Sequence, residues 1–271
     1  MPELAYTPEA ETEAAKFAVP RDIHADDFIF QFHLDVQPPS RTNARAHVTE
    51  YYFLDGDRSA KRLDSVIQDH HPDAAARRLS LFEFASGYGC VSRHLQKMNE
   101  HYELVACDIH EQAVAFLRER LGVAAVQSHS DPHAFDAGAK FDVVFALSFF
   151  SHMPDRTFGA WIQALFSVVA DNGLLIFTTH GRIAHEQLNR PVLDPSGYYF
   201  APSSEQKDIS THEYGTMIVT PFYVMEQIRK CPCSAVALFQ EHSGGARRIY
   251  SLCERYGQTS VRKIPNVSGC L

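Results

Sequence analysis

The sequence predicts an α/β protein whose core is a mostly parallel sheet with helices on both faces. Three observations predict it. Five short apolar runs between residues 80 and 179 alternate with segments of helical period. These runs are too continuously apolar to leave one face wet, which is how strands buried on both sides read. After them come two further strand-like runs joined by Ser243-Gly244-Gly245, a hairpin that adds an antiparallel edge.

In chain order, residues 1–20 carry Pro2, Pro8 and Pro20 among scattered acids and are expected to form a loose arm. Residues 21–55 mix short apolar runs with QPPSRTN, a loop by composition. Residues 1–55 therefore read as an N-terminal arm and cap segment, and residues 56–271 as the main domain. Tyr51, Tyr52 and Phe53 read as packing, and Gly56 as a point where a ligand comes close to the backbone. The stretch DRSAKRLDSVI places Ala60, Leu63, Val66 and Ile67 on one helical face. His71-Pro72 ends that helix, because the residue before a proline is pushed out of the helical region.

Alternation begins with SLFEF (80–84), a strand, followed by a helix from beyond Gly89 to about Met98. YELVACD (102–108) is the second strand. EQAVAFLRERLG (111–122) is a helix with Val114, Leu117 and Leu121 on one stripe and Gly122 at its end. VAAVQ (123–127) and FDVVFALS (141–148) are strands. DRTFGAWIQALFSVVADNG (155–173) has a wide apolar helical face that includes Phe158, Trp161, Ile162 and Leu165, and LLIFTT (174–179) is the fifth strand. Residues 182–220 are rich in Pro, Gly, Ser and Tyr without a period and read as a lid insertion over a substrate. PFYVMEQIRK (221–230) is a helix with Pro221 in its first turn, and AVALFQEH and RRIYSLCER are the hairpin strands.

Composition narrows the function. With 271 residues, 45% of them hydrophobic, the chain can bury a large core. A net charge of −8 argues against broad binding to nucleic-acid phosphates, so no nucleic-acid partner is expected. The six cysteines form no C-x-x-C pair, and acids and histidines are not grouped at ligand spacing, so no metal is expected. No run of about eighteen apolar residues could span a membrane, and the N-terminus lacks a charged-then-apolar leader. A reducing, cytoplasmic setting is the expectation. Oligomeric state is not legible.

Open parallel sheets bind ligands outside the carboxyl ends of their strands. Those ends here read Glu83-Phe84-Ala85-Ser86-Gly87-Tyr88-Gly89, then Asp108, then Gln127-Ser128-His129, then Ser148 to His152, then Thr178-Thr179-His180-Gly181. Glu83 is the odd residue: a carboxylate in an apolar strand is costly unless donors or positive charge meet it. A dinucleotide would want G-x-G-x-x-G, but Gly87-x-Gly89-x-x-Ser92 lacks the third glycine, and a pyrophosphate gives Glu83 nothing to do. S-adenosylmethionine explains more, because its amino-acid end carries an ammonium that suits Glu83, while Asp108 accepts from the ribose hydroxyls.

At this point the sequence resembles the class I S-adenosylmethionine-dependent methyltransferases. Their loop runs acid-x-Gly-x-Gly-x-Gly, against Glu83-x-Ala85-x-Gly87-x-Gly89 here. Ala85 departs from the pattern; alanine penalises positive φ, so either its backbone is ordinary or the ligand sits farther out. The likeness covers about residues 55–180 and continues through the closing hairpin. It implies a Rossmann-like sheet of seven strands, order 3-2-1-4-5-7-6 with strand 7 antiparallel. By resemblance the cofactor site comprises Glu83, Ala85, Ser86, Gly87, Gly89, Asp108 and Ile109, with Ser128 and His129 near the adenine and Ser148 near the methionine part. A narrower likeness, carried by SFFSHMPD, LLIFTTHG and SSEQKDISTHEYGTMIVTPFYV, is to bacterial methyltransferases that accompany glycan assembly, which ranks a small molecule or glycan as acceptor.

Methyl transfer is an in-line displacement, so alignment supplies much of its rate. An alcohol acceptor must also lose its proton, for which His180 and His152 are the candidates beside the alternative that either merely caps a loop. Glu205, Gln206, His212 and Tyr214 are the expected substrate contacts of the lid. The expected reaction is transfer to oxygen, less readily nitrogen. The rivals are a nicotinamide-dependent oxidoreductase and a silent module that binds S-adenosylmethionine without turnover.

Overall fold

The computed structural model describes residues 4–5, 7–38, 40–204, 206–232, 234–241 and 248–255. Three helices precede the sheet. Residues 1–20 are not simply a loose arm: Ala10–Phe17 is a helix (α1), with Ala10 and Ala14 buried in a cluster with Ile23, Phe30, Val48, Tyr52 and Phe53. A second helix (α2, Phe28–Asp35) is capped by Asp27, whose carboxylate accepts the Phe30 N–H. The third (α3, Ala44–His70) runs 27 residues, through position 55, where the cap segment was expected to end. It begins at Ala44, well before Asp57, because Val48, Tyr52 and Phe53 continue its buried face toward the N-terminal helices rather than the sheet. Its end at His71 is as expected.

The remaining elements alternate as the apolar pattern requires: β1 (Leu79–Phe84), α4 (Ser92–Lys97), β2 (Tyr102–Asp108), α5 (Glu111–Arg120), β3 (Ala124–Gln127), β4 (Phe141–Ala146), α6 (Asp155–Ser167) and β5 (Val169–His180). Then follow α7 (Arg182–Gln187), β6 (Tyr198–Ala201), β7 (Thr216–Val219), α8 (Pro221–Ile228), β8 (Ser234–Glu241) and β9 (Arg248–Arg255). The main sheet has the order β3-β2-β1-β4-β5-β9-β8. Pairings among β1 to β5 are parallel, and β9 is antiparallel to both neighbours. The sheet is therefore the seven-stranded one expected. The turn of the closing hairpin, 242–247, lies outside the described residues.

Two differences matter. The helix expected over 155–173 stops at Ser167, and Val169 already pairs with Phe141. The apolar residues that extended the helical period belong to the start of β5. A bulge between the Phe141 and Val143 pairings, with Asn172 at φ 63°, then resets the register. Residues 182–220 are also not structureless: they hold α7 and the two-stranded β6–β7 sheet, which frames the 202–215 connection.

Side-chain parity on β1 divides the core. Leu79 and Leu81 join the apolar layer with α3 and α5, while Phe82 and Phe84 join the layer with α6 and α8. Glu83 shares the parity of Leu81, so it points to the face on which α4 begins. Gly56 serves that same crossing. A Cβ there would fall 2.2 Å from the Cys90 carbonyl oxygen and 2.9 Å from the His94 ring. The expected close approach of Gly56 is thus to α4 and the turn before it, not to a ligand.

Candidate cofactor and acceptor site

A cavity of about 410 Å³ opens at the carboxyl ends of β1 to β4. Its floor is the turn after β1. Ala85 adopts φ 56°, Gly87 φ 56° and Gly89 φ 81°. Ala85 is therefore in the left-handed region after all, at a cost of roughly 1–2 kcal/mol. A Cβ on Gly87 would meet nothing within 4 Å, so this position presents bare backbone to open space. Gly89 works differently from expectation. A Cβ there would lie 2.5 Å from Leu121 and 2.8 Å from Leu117, so this glycine seats the turn against α5 and does not line the cavity.

Glu83 is buried at the edge of that floor and accepts the Ser92 hydroxyl at 2.6 Å. Loss of water pushes its carboxyl up to about 7. Ser86 donates its N–H to the Cys107 carbonyl, which fixes the turn to the neighbouring strand. Asp108, at the end of β2, accepts the Gly87 N–H at 2.8 Å through Oδ2 and the His110 N–H at 3.0 Å through Oδ1. That Oδ1 also faces His110 Nδ1 at 2.8 Å, while His110 Nε2 lies 2.9 Å from Asp208 Oδ2. Hydrogen bonding to Asp108, reinforced by Asp208, raises the His110 pKa above its ordinary value.

Ile109, Ser128 and His129 line the cavity, and Ser148 lines it from the end of β4. Ser148 is in the left-handed region at φ 65° and donates its N–H to Thr178 Oγ1, locking the β4 end to β5. The two candidate histidines separate. His152 is buried and lines the cavity; its Nδ1 lies 2.7 Å from the Gly215 carbonyl and its ring stacks on Tyr214 at 4.4 Å. His180 is not among the lining residues. Its ring centroid is 6.1 Å from that of His152, and its Nδ1 faces the Met217 carbonyl at 3.2 Å.

Of the expected lid contacts, Gln206 and Tyr214 line the cavity and His212 does not. His212 is exposed, and its carbonyl accepts from Arg156. Glu205 lies outside the described residues. The Gln206 Oε1 is buried with no hydrogen-bond partner among the described residues, an acceptor at a place where a ligand could supply a donor. The 202–215 connection is tied down at several points: Asp208 to His110, Glu213 to Arg156, and Lys207 to Asp35 of α2 at 3.5 Å.

Sequence reasoning missed Asp27, Phe28, Ile29 and Asp55, which line the cavity from the N-terminal helices, and it missed His110, Thr157 and Trp161. Trp161, on the apolar face of α6, is buried as a core residue, yet it also forms cavity wall against Phe84 and Phe149. Only His110 carried a usable signal, as the residue two beyond the strand-end acid.

The charge of the wall is one-sided. Asp27, Asp55, Glu83, Asp108, Asp131 and Glu213 line the cavity, and among the described residues no lysine or arginine does. A diphosphate would find no lysine or arginine there, whereas a ligand carrying a sulfonium and an ammonium finds complementary charge. The raised carboxyl of Glu83, the bare backbone at Gly87 and the unpartnered Gln206 acceptor all fit such a ligand.

Residues 82–175 match the model of a methyltransferase domain. The fold is similar to that of magnesium protoporphyrin IX methyltransferase from Synechocystis, at 12% identity over 85% of this chain and 95% of that one, TM-score 0.55. It is also similar to an S-adenosylmethionine-dependent methyltransferase from Clostridium acetobutylicum, at 13% identity over 79% and 99%, TM-score 0.54. A glycopeptide N-methyltransferase complexed with S-adenosylmethionine matches at 14% over 74% and 94%, TM-score 0.53. No curated protein matches the chain. The family match over residues 82–175 identifies a methyltransferase-domain segment, and the solved structures share the fold around it. Among the described residues no cluster of three metal-ligating side chains occurs, and no helix is long and apolar enough to cross a membrane.

Proposed function

We propose that the protein methylates a hydroxyl group of a small molecule or sugar, with His152 as the base. When bound, S-adenosylmethionine supplies an electrophilic methyl group on its sulfonium. Glu83, Ala85, Ser86, Gly87, Asp108, Ile109, Ser128, His129 and Ser148 hold the cofactor, with Asp108 turned to the ribose and the Glu83 end of the cavity to the amino acid. His152 takes the acceptor proton. A carbonyl can only accept, so the contact with Gly215 fixes the proton on Nδ1 and leaves Nε2 of the neutral ring as the basic nitrogen. Tyr214 holds the ring in plane, and His180 stands behind it as a positioning residue.

Residues 202–215 act as the lid, and Gln206 and Tyr214 meet the acceptor from it. Phe149, Met153 and Trp161 give the acceptor an apolar wall. The observation that carries this reading is a buried histidine in the cavity wall whose Nδ1 faces a backbone carbonyl. It is tested with isotopically labelled methyl donor and a panel of sugars, amino sugars and phenols, with mass spectrometry of the products. His152→Gln should lower kcat by about 10²-fold or more, with little change in affinity for S-adenosylhomocysteine. Label appearing only on amines, or an undiminished kcat in the variant, overturns the hydroxyl assignment.

A further inference from the structure

Family matching stops at residue 82, yet the cavity does not. Asp27, Phe28 and Ile29, at the start of α2, line it beside the turn after β1. The Phe28 ring approaches Tyr88 at 6.5 Å and His110 at 5.5 Å, so this corner of α2 lies across the turn that presents Gly87. Asp27 is only 2% exposed. Its Oδ1 caps α2 through the Phe30 N–H, and its Oδ2 accepts the Tyr52 hydroxyl at 2.6 Å. A carboxylate accepts about four hydrogen bonds, so the Phe30 and Ile29 N–H groups and the Tyr52 hydroxyl leave it room for a further donor. The nearest guanidinium, Arg93, reaches Asp27 only through that hydroxyl, at 3.2 Å from Tyr52, and spends its other donors on the Gly89, Pro20 and Asp22 carbonyls. Burial outweighs these contacts and raises the Asp27 pKa, as expected of an anion without a full counter-charge.

We propose that Asp27, carried by the N-terminal helices, is the second anion for the ammonium of the bound cofactor, acting together with Glu83. The N-terminal helices are then part of the cofactor site. This rests on S-adenosylmethionine occupying the cavity. Glu83 lines the cavity from the end of β1 and is held by Ser92, while Asp27 lines it from the start of α2, so the amino-acid end would meet one acid from the sheet and one from the N-terminal helices. The competing explanation is that Asp27 only caps α2 and neutralises Arg93 through Tyr52.

The two explanations separate in ligand binding. S-adenosylhomocysteine carries the ammonium; 5′-methylthioadenosine has the same adenosine and thioether without the amino acid. Calorimetric titration of the full-length Asp27→Asn protein should show S-adenosylhomocysteine weakened at least about tenfold, with methylthioadenosine held within about twofold of wild type. Asp27→Ser, which keeps a capping oxygen for Phe30, should behave in the same way and serves if the asparagine variant folds poorly. Equal weakening of both ligands, or no weakening of either, overturns the proposal. Wild-type protein that binds neither ligand would instead fail the cofactor assignment itself.

Discussion

Replacing Glu83 by glutamine should make the empty protein more stable and the working protein worse. Glu83 is buried on the α4 face, and its carboxyl keeps its proton up to about 7, against 4.5 when free. The folded state therefore binds this proton more tightly than the unfolded chain does. Stability falls as pH rises from 4.5 to about 7, because the unfolded chain releases the proton first. Between about pH 5 and pH 8 the ionisation costs the wild-type fold about 2–3 kcal/mol, a cost the glutamine variant does not have. For a chain of this size that corresponds to roughly 5–10 °C. Thermal unfolding of both proteins across this range, without ligand, should show the Tm gap widening in favour of Glu83→Gln as pH rises. The same variant should lose affinity for S-adenosylhomocysteine, and wild-type binding below about pH 7 should release a proton, read as a buffer-dependent enthalpy. A Tm gap that is flat with pH would refute the reasoning, since it would mean that Glu83 ionises as freely in the fold as in the unfolded chain.

Other expectations follow from the same contacts. Gly87→Ala should leave the packing intact but weaken cofactor binding, because its Cβ enters open space at a left-handed φ of 56°; calorimetry with S-adenosylhomocysteine checks this. Gly56→Ala should instead destabilise the fold by about 1–3 kcal/mol, since its Cβ would collide with the Cys90 carbonyl; denaturant unfolding reads it. His110, bridging Asp108 and Asp208, has a raised pKa, so its attractive tie is complete at low pH and is lost as pH climbs past that value. Dissociation of S-adenosylhomocysteine should therefore quicken toward alkaline pH in wild type and lose that dependence in His110→Gln, as stopped-flow measurement would show.

The sheet was legible because its strands are buried on both faces and its turns carry small residues. That Glu83, Gly87 and Asp108 come together at one cavity was legible because each interrupts a regular pattern at or just after a strand end. The start of α3 was not, because its apolar residues between Val48 and Phe53 face the N-terminal helices, and a sequence does not say which partner a face will meet. Asp27 was hidden likewise, since an acid before FIFQF reads as a helix cap, which it also is. Gly89 looked like a ligand-facing glycine because its motif neighbours are; only the contacts with Leu117 and Leu121 reveal its other duty. The two histidines could not be ranked without knowing that the chain returns at Gly215 to fix one of them.

The Lys207–Asp35 pair bridges the two halves of the roof over the cavity, one from the N-terminus and one from beyond β5. Asp208 is fastened to His110 as well, so two ties hold the 202–215 connection beside the cavity that His152 and Trp161 line. For the proposed reaction we expect the methylated product to depart first and the spent nucleoside to follow once the bridge parts. Product-inhibition patterns should show the nucleoside competing with its methylated parent alone, and raised ionic strength should speed the final exit more than any earlier step.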